Sequence, residues 1–454
     1  MPERFNPEER IRPRQRWART TLLAMSGAAL LGIAVQAGAQ TRPKAKPQPQ
    51  SSEDPMAAKI DPLLKDAEDA LNRRDFNTAV KSLKEVVALQ PDMAPAWFSL
   101  GYAYTGLRQN DDAVAAYRKT IELQPDLYEA RLNLGILLVE MNRPQEAREH
   151  LEKAAALKPD NPRAHLYYGR VLAAVGQAEA AKKQLQETLR LQPELAIAHF
   201  DLAQISLSQK QFEDARAEFE KAASLDAKLP QAQLGIAMAL EGLQRPADAA
   251  SAFEKYLAMK PDDLETRFHL ARVNLQAGQN EAALDNLQKV YQVKPGLAGL
   301  AAALGDVSAL LKKLPESEKF YREALAQTPG DADLHRALGK TLLDEEKLQD
   351  AESQFRAALK IDPRNQEALH GLAATLYLEK HYPEAIPLLE EQSKAPNPPA
   401  AVFFLLATCY DHLRDNRHAL AAYERYLELE EDQKSDQVWQ AQQRAKLLRR
   451  MLQK

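Results

Sequence analysis

Residues 94–125 read APAWFSLGYAYTGLRQNDDAVAAYRKTIELQP, and their pattern returns along most of the chain. The closing Pro125 is one rung of a ladder. Pro91, Pro125, Pro159 and Pro193 stand 34 residues apart, and the same register resumes at Pro261, Pro295, Pro329 and Pro363. One rung is missing, at Ala227. A fixed period of this size marks a repeat array, in which each unit buries its apolar face only against its neighbours. With each repeat opened 31 residues before a rung, eleven copies fit without insertion over 60–433, starting at 60, 94, 128, 162, 196, 230, 264, 298, 332, 366 and 400.

The ladder predicts other columns. The eighth position is Gly or Ala in all eleven copies, from Ala67, Gly101 and Gly135 to Ala373 and Ala407. The twentieth is Ala in ten and Ser317 in the other. Two helix backbones in contact leave room for a methyl group or less, which explains both columns. Within the quoted stretch the reading is a helix A from about Pro95 to Leu107, where Pro95 in the first turn loses no bonded N–H. A helix B follows, with Asn110 expected as its cap and Asp111 and Asp112 suiting the positive end of its dipole. It ends near Gln124, because Pro125 disfavours helical geometry just before it. Pro144, Pro246, Pro315 and Pro383 punctuate the start of helix B in later copies.

Trp97, Leu100, Gly101, Tyr104, Ala113, Tyr117 and Pro125 together resemble the signature of the tetratricopeptide repeat family. The resemblance covers about 374 of the 454 residues. It implies an all-α fold: a right-handed superhelical solenoid of about eleven helix-turn-helix repeats with a concave groove. Beyond residue 433, Val438, Ala441, Ala445, Leu448 and Leu452 are spaced as one helical stripe, which predicts a capping helix over 434–454. Its outer face is expected to carry Arg444, Lys446, Arg449, Arg450 and Lys454. Two places break the uniformity. Gly296-Leu297-Ala298-Gly299, followed by Ala301, predicts the weakest interface of the array and a candidate hinge. Pro396-Asn397-Pro398-Pro399 is expected to bend or stiffen the step into repeat eleven.

Residues 1–39 do not belong to the array. Arg10, Arg12, Arg14, Arg16 and Arg19 precede an apolar run from Leu22 to Val35 and a small-residue site at Ala37-Gly38-Ala39, the layout of a secretory signal peptide. An uncleaved signal anchor is the alternative, although fourteen apolar residues fall short of the about 20 that span a bilayer. Residues 40–59, with Pro43, Pro47, Pro49 and Pro55 among Gln, Ser and Lys, read as an extended linker. The expected location is therefore periplasmic or otherwise extracytoplasmic, with membrane contact only through the N-terminal segment. A net charge of -4 gives no reason to expect nucleic acid as a partner.

No catalytic, cofactor or metal site is expected from the sequence. Gly339-Lys340-Thr341 resembles the end of a phosphate loop, but Leu334 stands where that motif needs Gly, and Gly339 belongs to the small-residue column. His165, His199 and His335 share one repeat position and are expected to pack at helix interfaces. Cys409, the single cysteine, reads as a small buried apolar residue.

Partner binding remains. In the family the resemblance indicates, helix A lines the groove through its second, fifth, ninth and twelfth positions. The fifth column reads Phe98, Leu132, Leu166, Phe200, Leu234 and Phe268 over six consecutive copies. It either forms an apolar strip along the groove or packs between neighbouring A helices. The ninth column, Tyr102, Ile136, Arg170, Gln204, Met238 and Arg272, would add an apolar end and charged rims. Of a carboxylate-clamp subtype only Asn133 and Arg163 match, and of an asparagine-ladder subtype only Asn133. The expectation is an exported, non-enzymatic scaffold that binds an extended peptide or protein partner. The alternatives are a membrane-tethered assembly component that self-associates or braces an envelope complex, and a carbohydrate-binding solenoid using Trp97, Tyr102 and Tyr104.

Overall fold

A computed structural model describes residues 56–432 and 435–453. The expected signal segment, and the linker up to residue 55, lie outside the described residues. Among those described there are 23 helices and no strand. They divide into two compact units, one ending at Met259 and the other starting at Lys260.

The first unit contains six helix pairs: α1 (Ala57–Asn72) with α2 (Phe76–Leu89), α3 (Ala94–Gly106) with α4 (Asn110–Leu123), α5 (Tyr128–Glu140) with α6 (Pro144–Leu157), α7 (Pro162–Ala174) with α8 (Ala178–Leu191), α9 (Ala196–Ser208) with α10 (Phe212–Leu225), and α11 (Pro230–Gly242) with α12 (Pro246–Met259). The second contains five pairs and a last helix: α13 (Leu264–Gln276) with α14 (Asn280–Val293), α15 (Leu300–Leu310) with α16 (Leu314–Gln327), α17 (Ala332–Asp344) with α18 (Leu348–Ile361), α19 (Gln366–Leu378) with α20 (Tyr382–Ser393), α21 (Ala400–His412) with α22 (Asn416–Leu429), and α23 (Asp436–Leu452). Inside each unit every helix packs on the next, and several successive A helices also touch. This is the solenoid of helix pairs that the ladder predicts.

The repeat has one conformational key that composition hides. Position 15, between the two helices of a pair, has positive φ in all eleven copies. Only Gly176 and Gly278 are glycine there. The other nine are Arg74, Arg108, Asn142, Lys210, Gln244, Lys312, Glu346, Lys380 and Arg414, held at φ of 57° to 63°. The left-handed residue closes each A helix: the Arg108 N–H donates to Thr105 and the Gln109 N–H reaches back to Tyr104, satisfying carbonyls that the helix end would orphan. Position 16 then takes the cap geometry of helix B. The expected cap Asn110 is therefore already the first helical residue, and Gln109 precedes it with no side-chain cap bond. Asp75 and Asp415 do cap, accepting from the Thr78 and His418 amides.

The small-residue column makes room for a large side chain on the companion helix. A Cβ placed on Gly101 would lie 2.8 Å from the Tyr117 ring, one on Gly135 2.4 Å from Leu151, and one on Gly305 2.7 Å from Tyr321. Position 24 supplies that large residue each time, so the two columns are halves of one contact. Gly339 is likewise mid-helix, facing Phe355 at 3.0 Å, which removes the phosphate-loop reading.

A second recurring contact fastens each repeat to the next and gives the ladder a further role. The carbonyl of the ladder proline accepts a hydrogen bond from the fourth position of the following A helix: Trp97 Nε1 to Pro91 at 2.8 Å, Arg131 Nε to Pro125 at 2.6 Å, and Arg267 Nη2 to Pro261 at 3.1 Å. His165, His199 and His335 place Nε2 on Pro159, Pro193 and Pro329 at 2.9, 3.0 and 3.1 Å, with Nδ1 on Gln184, Glu218 and Gln354. Both ring nitrogens are occupied, so these histidines are structural. At the missing rung, Asp226 Oδ1 accepts from the Lys228 N–H and Pro230 opens α11, so α10 stops on schedule without a ladder proline.

The irregular places show their causes. Helix α1 begins at Ala57, inside the stretch read as linker, and this upstream extension leaves Pro62 within the helix. At repeat eight, Gly299 takes φ of 77° and α15 starts two residues late. Leu300 is then fully buried and clusters with Leu297, Leu304 and Phe320. Pro387 lies inside α20, which ends at Ser393, ahead of the Pro396–Pro399 run. In α23, Val438, Ala441, Ala445 and Leu448 are buried as predicted, but Leu452 is exposed. Arg444, expected on the outer face, instead grips Asp411 of α21 with Nε at 2.5 Å and Nη2 at 2.7 Å.

Candidate functional site

The A-helix face is where a groove ligand would lie. In the first unit much of the predicted strip is used for packing. Phe98, Leu132, Leu166 and Phe200 are all buried. Phe98 leans on Tyr117 with ring centroids 5.9 Å apart, and Phe200 meets Phe219 edge-on at 5.5 Å. The fifth position thus packs against position 24 of its own repeat. Ile136 is buried as well, whereas Leu234 is half-buried. Tyr102 is half-buried, with its ring edge on Phe76 at 6.1 Å.

Charge on this face is largely committed internally. Arg170 Nε lies 2.5 Å from Asp201 Oδ2, linking α7 to α9, with side chains only 13% and 18% exposed. Burial pushes the Asp201 carboxyl up, and the facing Arg170 pulls against it. Arg163 and Arg170 both sit over the Tyr167 ring, at 5.8 and 5.5 Å. Arg170 is therefore a strut between repeats four and five more than a free rim charge. In the second unit, Phe268 is half-buried against the cluster of Leu284 and Leu287, and Arg272 Nη2 lies 2.7 Å from His269 Nδ1. Arg336 binds Glu367 and Asp333.

A concavity lies at the C-terminal end of the second unit, a place the sequence columns did not single out. Tyr377 of α19 (position 12), Phe404 and Thr408 of α21 (positions 5 and 9) and Tyr423 of α22 form one wall. Trp439, Gln440, Gln443, Arg444 and Leu447 of α23 form the other. The cavity holds about 440 Å³. Its position is a direct result of local folding. Ser435 caps α23 by accepting from the Val438 N–H, the Val438–Leu448 stripe docks on repeat eleven, and the Arg444–Asp411 pair fixes the rotation. Trp439, one residue beyond Val438, is thereby left at the rim and 63% exposed. The floor is aromatic: Phe404 lies 6.3 Å from Tyr423 and 5.1 Å from Tyr426, centroid to centroid. Burial pushes the Tyr377 and Tyr423 phenols above their ordinary value, so both remain neutral hydrogen-bonding groups at physiological pH. The signal for this site was present in the sequence, as Trp439 and Leu447 widening an apolar stripe that docking alone does not need.

The arrangement suits binding better than bond-making. Cys409 is buried and its thiol is pushed up to about 12 by burial, so it does not supply a thiolate nucleophile. The recurring histidines are held on both nitrogens. The cavity instead offers flat aromatic walls, two amide side chains and a guanidinium already oriented by a carboxylate.

Family models described as "Tetratricopeptide repeat" match residues 64–128, 106–166, 138–199, 169–231, 234–298, 342–398 and 400–433. Residues 299–341, which include all but the first residue of repeat eight, fall between these matches. A search of curated proteins returns no match. Similar solved structures include MamA from Desulfovibrio magneticus RS-1, 23% identical over 38% of this chain and 97% of that one, with a TM-score of 0.37. PilW, titled a type IV pilus biogenesis factor, is 24% identical over 48% of this chain and 100% of that one, with a TM-score of 0.40. YrrB, titled a repeat protein with an unusual peptide-binding site, is 19% identical over 41% of this chain and 97% of that one, with a TM-score of 0.37.

Proposed function

Since the chain belongs to the tetratricopeptide repeat family, we infer that it is a non-enzymatic scaffold that holds an extended peptide or protein segment on its A-helix face. The observation that carries this reading is the aromatic cavity between repeat eleven and the last helix, with Trp439 at its rim. A solvent-exposed indole beside tyrosine and phenylalanine walls is costly to leave in water, and such patches mark partner sites. Gln440 and Gln443 supply donors and acceptors for a peptide backbone, and the half-buried Phe268 and Leu234 offer further apolar contacts within their own units. Affinity would come from one or two apolar anchors, and register from polar groups around them.

Peptide-display selection against the full chain tests this. Selected peptides should bind wild-type protein and lose at least about tenfold in affinity, roughly 1.4 kcal/mol, on Trp439→Ala or Leu447→Ser, with helicity unchanged. Equal binding by both variants would refute the assignment. Export is part of the same reading and rests on the N-terminal sequence. No described helix is long and apolar enough to cross a membrane. N-terminal sequencing of protein made in its host should find a chain starting at Gln40, and one starting at Met1 would favour a tethered assembly component.

A further inference from the structure

Two successive steps of the second unit carry the same charged constellation with one substitution. At the first, Glu318 of α16, Glu345 at the end of α17 and Lys347 just before α18 converge. Lys347 Nζ lies 2.6 Å from Glu318 Oε2 and 2.7 Å from Glu345 Oε2. Arg322 binds the other Glu318 oxygen and approaches Asp350 at 3.8 Å. Two carboxylates face one bridging ammonium and one guanidinium, with Asp350 at the edge.

Thirty-four residues on, the same positions are Glu352, Glu379, Arg356 and Glu384, but the bridging lysine is replaced by His381. Arg356 keeps its role, with Nε 2.6 Å from Glu352 and Nη2 2.9 Å from Glu384. The imidazole cannot repeat the lysine's. Glu345 Oε2 and Glu379 Oε2 are both buried without a hydrogen bond of good geometry, but Lys347 Nζ comes within 2.7 Å of the first, whereas His381 Nδ1 stays 3.7 Å from the second, in a side chain only 8% exposed. One oxygen of Glu352, one of Glu379 and one nitrogen of His381 all lie within 4.8 Å of one another. Relative to its sister, this step has an imidazole in place of the bridging ammonium.

We propose that Glu352, Glu379 and His381 bind a divalent first-row transition ion, zinc above all, where the preceding repeat holds the Lys347 ammonium. Two carboxylate oxygens and one imidazole nitrogen are a borderline donor set suited to zinc, whereas calcium and magnesium want six or more oxygens. Tetrahedral zinc with bonds of about 2.0–2.1 Å spaces its ligand atoms about 3.3–3.4 Å apart. The 3.7 Å separation is close to that, and the remaining gaps close with side-chain shifts of about 1 Å. His381 is 54% exposed, so the ion can enter from solvent and keep water in its fourth position. Glu352 lies on α18, whereas Glu379 and His381 flank the left-handed Lys380 between α19 and α20. The ion would therefore staple repeat nine to repeat ten.

The test uses the full chain stripped of metal and titrated with zinc chloride alone, followed by calorimetry, with cobalt(II) absorbance as a second readout. Wild-type protein should take up about one equivalent at this site and show the visible bands of tetrahedral cobalt. His381→Lys should lose that equivalent and those bands while keeping wild-type helicity, because Lys347 shows that the ammonium fits. Lys347→His, conversely, should add an equivalent. Unchanged zinc stoichiometry in His381→Lys, or no zinc uptake by the wild type, would overturn the proposal.

Discussion

Gly135 gives the sharpest test of how these repeats are packed. It lies in the middle of α5, where alanine would ordinarily stabilise a helix by about 1 kcal/mol over glycine. Here the new methyl would lie 2.4 Å from Leu151 Cγ, 2.6 Å from Cδ2 and 3.3 Å from Cδ1. Ordinary contacts start near 3.4 Å, so Leu151 must retreat by about 1 Å, and it is fully buried with nowhere to go. Overpacking of this kind costs about 1–3 kcal/mol. Set against the propensity gain, Gly135→Ala should destabilise its repeat by about 1 kcal/mol net, and by up to about 2. The array is too long to unfold as one two-state unit, so the readout is hydrogen-exchange protection of α5 and α6. Protection should fall about five- to thirtyfold, taking 1.4 kcal/mol as tenfold. The sign should reverse in a Leu151→Ala background. That change alone costs about 2–5 kcal/mol, and the alanine methyl then enters vacated space, so Gly135→Ala becomes stabilising by about 1 kcal/mol. Gly169→Ala, whose methyl would lie 3.0 Å from Leu185, should lose less than Gly135→Ala. If Gly135→Ala raises protection in the wild-type background, the pairing of positions 8 and 24 is refuted.

Two further predictions concern conformation and protonation. At position 15, Lys210→Gly should stabilise α9 and α10 by up to about 1 kcal/mol, the left-handed strain of about 1–2 kcal/mol less the backbone entropy glycine loses. Gly176→Ala should cost about 1 kcal/mol, and both changes are readable as shifts in local exchange protection. His150 of α6 is half-buried, with its Nδ1 fully covered and unpartnered, and burial, then the Arg131 charge, holds its pKa below the ordinary value. A depressed histidine favours the neutral form in the folded state. Its stability contribution is thus whole above pH 6.5 and is lost as pH falls below it, while the unfolded chain takes up the proton. Exchange protection of α6 should decline below about pH 6.5 in wild-type protein and decline less in His150→Gln.

Much of the fold was legible because repetition averages out local noise: eleven small residues at position 8 and eight prolines in register leave one architecture. The left-handed turn was hidden because eight of its eleven residues are Arg, Lys, Gln or Glu, whose side chains give no sign of positive φ. Tertiary packing imposes it. The fifth-position column was ambiguous for a related reason. Phe98 and Phe200 look like ligand anchors until Tyr117 and Phe219 are seen against them, and which face a side chain takes depends on the crossing of two helices. The C-terminal cavity is not legible in any one column because the last helix and repeats ten and eleven make it together. Trp439 lies one residue beyond Val438 of the docking stripe and is given no role by it, and Arg444 reads as one of several outward bases until Asp411 claims it.

The central claim is that a partner segment lies on the A-helix face at the cavity. The most direct measurement is site-specific photo-crosslinking of the full chain in its host, with the reactive side chain placed in turn at Tyr377, at Trp439 and at the exposed helix-B residue Lys289. Adducts to one partner from the first two positions, absent from the third and competed away by a selected peptide, are the predicted result. Adducts from Lys289 alone, or adducts at Trp439 that the peptide does not displace, would contradict it.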